Sequence, residues 1–551
     1  MFKGFEIQLK NNQIQYNVYF DPLFDNLKYE DSEFLIVLEG CIFNKSKLLQ
    51  LYGCEVFSKL IKKLYTQKKE NFPNEFSGEF RGFLWDKMSN KVFIFNNHTS
   101  TQRVFYHQTD ALDFYADTNL VRLSKKVKDE ENTILLPNSD AFYQLISIGY
   151  VLDKLTPIKY FYRLLDASVI VLDCNNHLFK IKDYYQLSAV TNFKGTKEEA
   201  LSITDELFQK AVSEEYQKDL ELGKNHLTTL SGGLDSRMVL FYALNENYRE
   251  KQNLFCFSQK NYTDELVAKE IAKAQNLPLE FVSLENFDFI SNIDKLTKIS
   301  EGLNLYIGAI HADFAMSKMS KKNTGLIHTG QLGGAILNSY IKSKHQRMVD
   351  ISSLIQNKEL YNNCKDNILP YVNENQSEDL FLTKNSGFNS TILGSLVFNQ
   401  YSYQSSPFMN KDFLKFILSI PYEWRFRNAF YIDWVKKYCK DSTQFVWERT
   451  HMKPNSKWKN YVGEVFVRRL FNYYQYITNN GQQISMFPYQ FYFEKNNNIK
   501  KTYDNYFNNH LDLLNYDIKL RKSVEDLYRN NNFFKKVFAI HILSVHKLYF
   551  S

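Results

Sequence analysis

The chain has 551 residues, 44% hydrophobic and 16% aromatic, more than one hydrophobic core usually supports, so two or more globular domains are expected. Its formal charge of +7, from 68 basic and 61 acidic residues, is small for the length; it is compatible with anionic ligands and calls for no nucleic-acid partner. Six scattered cysteines without a CxxC pair argue against a zinc site or disulfide framework, and no segment approaches the ~18 apolar residues of a membrane span, so a cytoplasmic protein is expected.

Residues 1 to about 125 carry short β-like runs such as Phe34 to Leu38 and Lys91 to Phe95, with an amphipathic helix near Glu55 to Tyr65. This predicts an α+β domain rich in antiparallel strands. A polar segment from Ser188 to Glu199, containing Gly195, reads as a linker. From Glu198 onward helical and short apolar runs alternate, the pattern of a mostly parallel sheet. The helices are Glu198 to Tyr216 and Asp264 to Asn276; the strands are Leu227 to Leu230, Asn253 to Ser258 and Gly325 to Thr329. Beyond Asn460 the chain is helical, aromatic and basic, and a packed helical cap is expected there.

The stretch LTTLSGGLDSRMVLFYAL, Leu227 to Leu244, combines a strand, two glycines and a helix start. Gly232 and Gly233 permit dihedrals that a Cβ disfavours and let the backbone approach a ligand, so that successive N–H groups can surround a polyphosphate. Asp235 and Ser236 stand at the helix entrance, where a carboxylate can hold the Mg²⁺ that accompanies nucleotide phosphates. Neither GxxxxGK[ST], HExxH nor GxSxG occurs. His311 and Asp313 are read as structural, while Asp264 and Glu265 are neighbouring carboxylates that either serve the site or cap a helix N-terminus.

SGGLDS resembles the pyrophosphate loop of the ATP pyrophosphatases. Further passages resemble asparagine synthetases: Val37 to Gly53, Phe76 to His107, Gly149 to Val151, His328 to Tyr340, Ser406 to Pro421 and Trp447 to Pro454. The resemblance implies an α/β protein. An Ntn-type αββα glutaminase-like domain (1–187) and a linker (188–199) precede a parallel-sheet ATP-pyrophosphatase domain with a helical C-terminal part (200–551). It implies that Ser231, Gly232, Gly233 and Ser236 hold pyrophosphate, that Asp235 binds Mg²⁺, and that Leu230, Phe257, Thr329 and Gly330 line the adenosine pocket. Lys453 is implied to stabilise the departing pyrophosphate. The implied reaction activates a small-molecule, peptide or sugar carboxylate with ATP as an acyl-adenylate, for attack by ammonia or a substrate amine. β-Lactam synthetases and lasso-peptide cyclases share this layout, and a homodimer is admitted.

Several positions depart from the family. Its glutaminase nucleophile is a cysteine exposed by removal of the initiator methionine, whereas here Phe2 follows Met1 and no cysteine precedes Cys41. Asn97 stands where the glutamine-binding aspartate is expected, so no glutamine hydrolysis is expected. Gly334 replaces the second metal-binding aspartate, while Gln331 and Asn389 stand near the positions of an acid–base pair. An amide cannot act as a base. These losses leave a second reading, a non-catalytic nucleotide-binding relative. A tRNA-thiolating enzyme, which needs paired catalytic cysteines, fits less well.

Overall fold

The computed structural model describes residues 3–21, 23–285, 287–320, 323–373, 376–479 and 482–551. Met1 and Phe2, on which part of the glutaminase expectation rests, lie outside them.

Two antiparallel sheets come first. One has the order β2-β1-β8-β7-β9, from β1 (Phe5–Lys10), β2 (Gln13–Val18), β7 (Phe105–Gln108), β8 (Phe114–Asp117) and β9 (Tyr162–Arg163). The other has the order β11-β10-β6-β5-β4-β3, from β3 (Leu27–Glu30), β4 (Phe34–Ile42), β5 (Gly78–Asp86), β6 (Lys91–Asn96), β10 (Ser168–Asp173) and β11 (Leu178–Asp183). The central strands of the second sheet read as continuous apolar runs because both faces are buried. Leu35, Val37, Val92 and Ile94 point into the core between the sheets. Ile36, Leu38, Phe93 and Phe95 point the other way, against α1 (Lys45–Leu51) and α2 (Phe57–Lys68). Helices α3 (Leu120–Glu130) and α4 (Ser139–Ile148) share a core with Phe105 and Tyr115 of the first sheet, completing the αββα layering.

Helix α5 (Lys197–Glu221) opens the second half, with Thr196 and Glu199 forming a capping box. The third sheet is wholly parallel, in the order β14-β13-β12-β15-β16: β12 (Asn225–Thr229), β13 (Gln252–Ser258), β14 (Leu279–Ser283), β15 (Thr324–His328) and β16 (Gln404–Ser405). From β12 the chain moves to β13 and β14 on one side, then returns to β15 and β16 on the other. The strand order therefore switches between β12 and β15, and in open α/β sheets ligands bind beyond the carboxyl ends of strands at such a point.

Helix Phe533–Phe550 is buried along most of its length and packs on α3, α4 and the helix Ile518–Arg529, so the end of the chain is a packed cap as expected. The segment 457–479 is not. It is helical, yet Trp458, Leu470, Tyr473, Tyr476 and Ile477 are exposed, which corrects the expectation of packing throughout the tail. Among the described residues no helix is long and apolar enough to cross a membrane.

Candidate active site at the strand switch

Strand β12 ends at Thr229, and Leu230 to Gly233 lead into α6 (Leu234–Asn245), whose first turn carries Asp235 and Ser236. Neither Gly232 nor Gly233 has a positive φ, so the expected dihedral requirement is corrected. Proximity explains Gly232 instead: a Cβ there would lie 2.8 Å from the Cβ of Glu448 and 3.1 Å from Asp264 Oδ1.

The loop is held by its own hydroxyls and by one distant carboxylate. Ser236 Oγ accepts from the Ser231 N–H (3.1 Å), Ser231 Oγ accepts from the Gly233 N–H (3.1 Å), and Asp264 Oδ1 accepts from the Gly232 N–H (2.7 Å). Asp264, near the start of α7 (Thr263–Gln275), therefore ties the loop and does not cap its own helix, the other role its sequence position allowed. Glu265 accepts from the Asn261 N–H (2.6 Å), a helix-entry contact of the expected kind. Burial, reinforced by Glu448, pushes the Asp264 carboxyl up to about 7. Fully buried Arg237 fixes the other side of the loop: its guanidinium donates to the carbonyls of Gly232, Ser442, Phe445 and Val446 at 2.8–3.1 Å. That clamp carries Glu448 to the loop, where its N–H donates to the Gly232 carbonyl (3.0 Å) and its carboxylate accepts from Tyr262 (2.8 Å).

Asp235 points at the turn after β15. Its Oδ1 accepts from the Tyr431 hydroxyl (2.8 Å) and its Oδ2 from the Gly334 N–H (2.7 Å). Burial raises its pKa, and these two donors oppose the rise. Three glycines make room: a Cβ on Gly330 would lie 2.4 Å from the Asp235 carbonyl carbon, one on Gly333 2.8 Å from its carboxyl carbon, and one on Gly334 3.0 Å from Oδ2. A carboxylate offers about four lone-pair sites, so each oxygen keeps capacity beyond these donors, and the residues fit one Mg²⁺ held through Asp235, phosphates and water.

These elements enclose a cleft of about 600 Å³, the size of a small-molecule site. Its walls include Leu230, Ser231, Gly233, Asp235, Ser236, Phe257, Thr329 and Gly330. Gly232 is buried behind the loop, and Lys453 is exposed and outside the wall. Arg468, from the helix that follows, supplies a cation at the cleft instead. His311, read as structural from the sequence, also lines the cleft; its Nδ1 is 2.9 Å from the Tyr489 hydroxyl, and burial lowers it to about 4, which keeps the imidazole neutral. Sequence reasoning left Asp264 open and missed Glu448, Tyr262 and Arg468 as cleft residues because they come from separate segments with no shared motif.

The expected acid–base neighbours are separated. Gln331 lines the cleft, its amide donating to the Thr391 carbonyl and accepting from Ser395 Oγ (2.5 Å). Asn389 faces a different cavity, of about 240 Å³, beside Arg163 and Lys384.

The N-terminal cavity around Asn97, where the resemblance leads one to expect a glutamine site, is nearly filled. Ser77, Gly78, Glu79, Asn97, His98 and Thr99 meet Glu215, Met409 and Lys411 around a void of about 30 Å³, room for a water molecule or two. Glu79 accepts from Thr101 and from Gln102 (3.2 Å), and burial raises it to about 7.

No curated protein matches the chain significantly. The solved "structure of the allosteric regulatory enzyme of purine biosynthesis" aligns with a TM-score of 0.22 and 7% identity over 51% of this chain and 74% of that one. Glutamine phosphoribosylpyrophosphate (PRPP) amidotransferase from B. subtilis, complexed with ADP and GMP, aligns with a TM-score of 0.21 and 7% identity over 51% of this chain and 59% of that one. Alignments this shallow decide nothing about fold or activity. The family model for asparagine synthase matches residues 204–379, the span that holds the loop, strands β12 to β15 and the glycines around Asp235, so this part of the chain is similar to asparagine synthase.

Proposed function

We propose that the protein is an ATP-dependent carbon–nitrogen ligase that activates a carboxylate as its acyl-adenylate and passes it to ammonia or a substrate amine, without hydrolysing glutamine. The observation that carries this reading is the convergence of Ser231 to Ser236, Thr329 and Gly330 on one 600 Å³ cleft at the strand switch of a domain similar to asparagine synthase. Ser231, Ser236 and the first turn of α6 would face the pyrophosphate, since N–H groups at a helix N-terminus favour anions. Leu230, Phe257 and Met486 give the wall an apolar stretch suited to adenine, with the neutral His311 ring beside it. When bound, Mg²⁺ at Asp235 supplies charge neutralisation for the phosphates. Arg468, which lines the cleft, would take up charge on the leaving pyrophosphate in place of Lys453, which lies outside the wall.

The absence of glutaminase activity is supported by the 30 Å³ void, by Asn97 in place of a carboxylate, and by β1, which holds no cysteine. Pyrophosphate release from ATP, measured with Mg²⁺ and a panel of amino-acid, peptide and sugar carboxylates plus ammonium, tests the ligase reading. It requires release that depends on one carboxylate class and disappears in Asp235→Ala.

A second reading is favoured by one observation: Gly334 and Gln331 leave the cleft wall facing Asp235 without a second carboxylate. On that reading the protein binds nucleotide without turnover and serves as a partner in a biosynthetic pathway. Nucleotide binding with no carboxylate-dependent pyrophosphate release would select it.

A further inference from the structure

The segment 457–479 leaves the body of the protein with an apolar seam uncovered. Phe466, Leu470, Tyr473 and Ile477 recur at intervals of four, three and four residues and are 58%, 67%, 68% and 64% exposed. That spacing is the seam by which one helix packs along another. Trp458, Tyr461, Tyr474 and Tyr476 extend the surface. At 150–250 Å² for a whole aromatic side chain, the six aromatics alone leave on the order of 700 Å² uncovered. Spread around the helix, this is comparable to the ~800 Å² that each partner buries in a specific interface.

Charge decides among occupants. Lys459 and Arg469 are exposed and have no carboxylate partner among the described residues. The only acidic residue between 457 and 479 is Glu464, and Arg449 holds it at 2.6 Å. A second copy of this helix would set these cations against their own kind; an acidic helix would satisfy both the seam and the charges. The helix is also fixed to the cleft: the His451 and Phe471 rings are 3.9 Å apart, and Arg468 belongs to the cleft wall.

We infer that residues 458–478 are the docking surface for an acidic amphipathic helix of a protein partner, held beside the mouth of the cleft. This inference stands whatever reaction the cleft performs.

The test uses the full chain and a synthetic probe of about four heptads, with Leu at the seam and Glu on both flanks, against a control with Lys on the flanks. Fluorescence anisotropy should show that the Glu-flanked peptide binds and the Lys-flanked one does not. Leu470→Glu with Ile477→Glu should weaken binding at least about tenfold, and Lys459→Glu with Arg469→Glu should reverse the preference. All four positions are exposed, and unchanged circular dichroism establishes that the variants are folded. Equal binding of both peptides, or no binding of either, overturns the inference. A wild-type dimer dissolved by Leu470→Glu with Ile477→Glu would assign the seam to a second copy. Binding to phosphatidylglycerol vesicles without peptide binding would assign it to a membrane surface. Both of these results also overturn it.

Discussion

The Gly334 N–H donates to Asp235 Oδ2 at 2.7 Å, so a backbone amide occupies the position facing Asp235 where a second carboxylate is expected from the family resemblance. A donor there stabilises ionised Asp235 without a metal, and it removes half of the charge that would hold one. Gly334→Asp should place two carboxylates together, because a Cβ at 334 already comes within 3.0 Å of Oδ2. In metal-free buffer the variant should lose about 1–3 kcal/mol by like-charge repulsion, and Mg²⁺ should restore it. Thermal unfolding with and without Mg²⁺ reads this directly: a variant no more sensitive to Mg²⁺ than wild type would separate position 334 from the metal site.

The bond from Gly232 to Asp264 predicts a pH dependence. The Asp264 carboxyl is raised from its ordinary value near 3.8 to about 7, so it binds a proton in the folded protein that it loses when unfolded. Its contribution to stability is full below about pH 4 and is lost as pH rises through about 7. Asp264→Asn keeps an oxygen to accept the Gly232 N–H and cannot ionise. Urea unfolding between pH 5 and 8 should therefore show a smaller loss of stability in the variant than in wild type, by an amount on the order of 1–3 kcal/mol.

Beneath the sheet, buried Asp219 accepts from two imidazoles, His226 Nδ1 (2.8 Å) and His328 Nε2 (2.7 Å), while Glu215 lies 3.7 Å from His328. Burial alone would lower His328, but Asp219 and Glu215 outweigh it and raise the imidazole to about 9. Stability from this group is complete below its unfolded value near 6.5 and is lost as pH rises through about 9. His328→Gln should cost about 3–5 kcal/mol at pH 6, because it removes the buried cation that Asp219 and Glu215 face, and considerably less at pH 9.5. Denaturant midpoints at the two pH values check the sign; an equal loss at both would show that His328 is neutral.

Arg237 joins the loop to the segment bearing Glu448 through four carbonyls. Arg237→Lys preserves the charge but not the fork, and leaves buried carbonyls unpaired at about 1–3 kcal/mol each. The variant should unfold at lower denaturant and bind nucleotide at least about tenfold more weakly. Normal nucleotide affinity in a destabilised variant would confine Arg237 to a role in stability.

What the sequence shows is what local chemistry determines. The helix expected from Glu198 to Tyr216 is Lys197–Glu221, the strand Asn253 to Ser258 is Gln252–Ser258, and the loop stands between β12 and α6. Each has its own periodicity or cap. The cleft wall is harder to read, because Asp264, His311, Glu448 and Arg468 meet only after the sheet has assembled. Two lone acids at a helix start read equally as capping residues, and a histidine without a spaced partner reads as core. The exposed seam at Phe466 to Ile477 has the same periodicity as a buried one, so pattern alone assigns it to the interior.

The central claim is that the cleft at Ser231 to Ser236 binds a nucleotide polyphosphate with its metal at Asp235. Isothermal titration calorimetry of ATP into the full chain, with Mg²⁺ and without it, against wild type and Asp235→Asn, tests it most directly. Wild type should show a single site, tightened by Mg²⁺ at least about tenfold, and Asp235→Asn should still bind ATP but lose the Mg²⁺ effect. No heat of binding in wild type, or an Mg²⁺ effect that survives in Asp235→Asn, would contradict it.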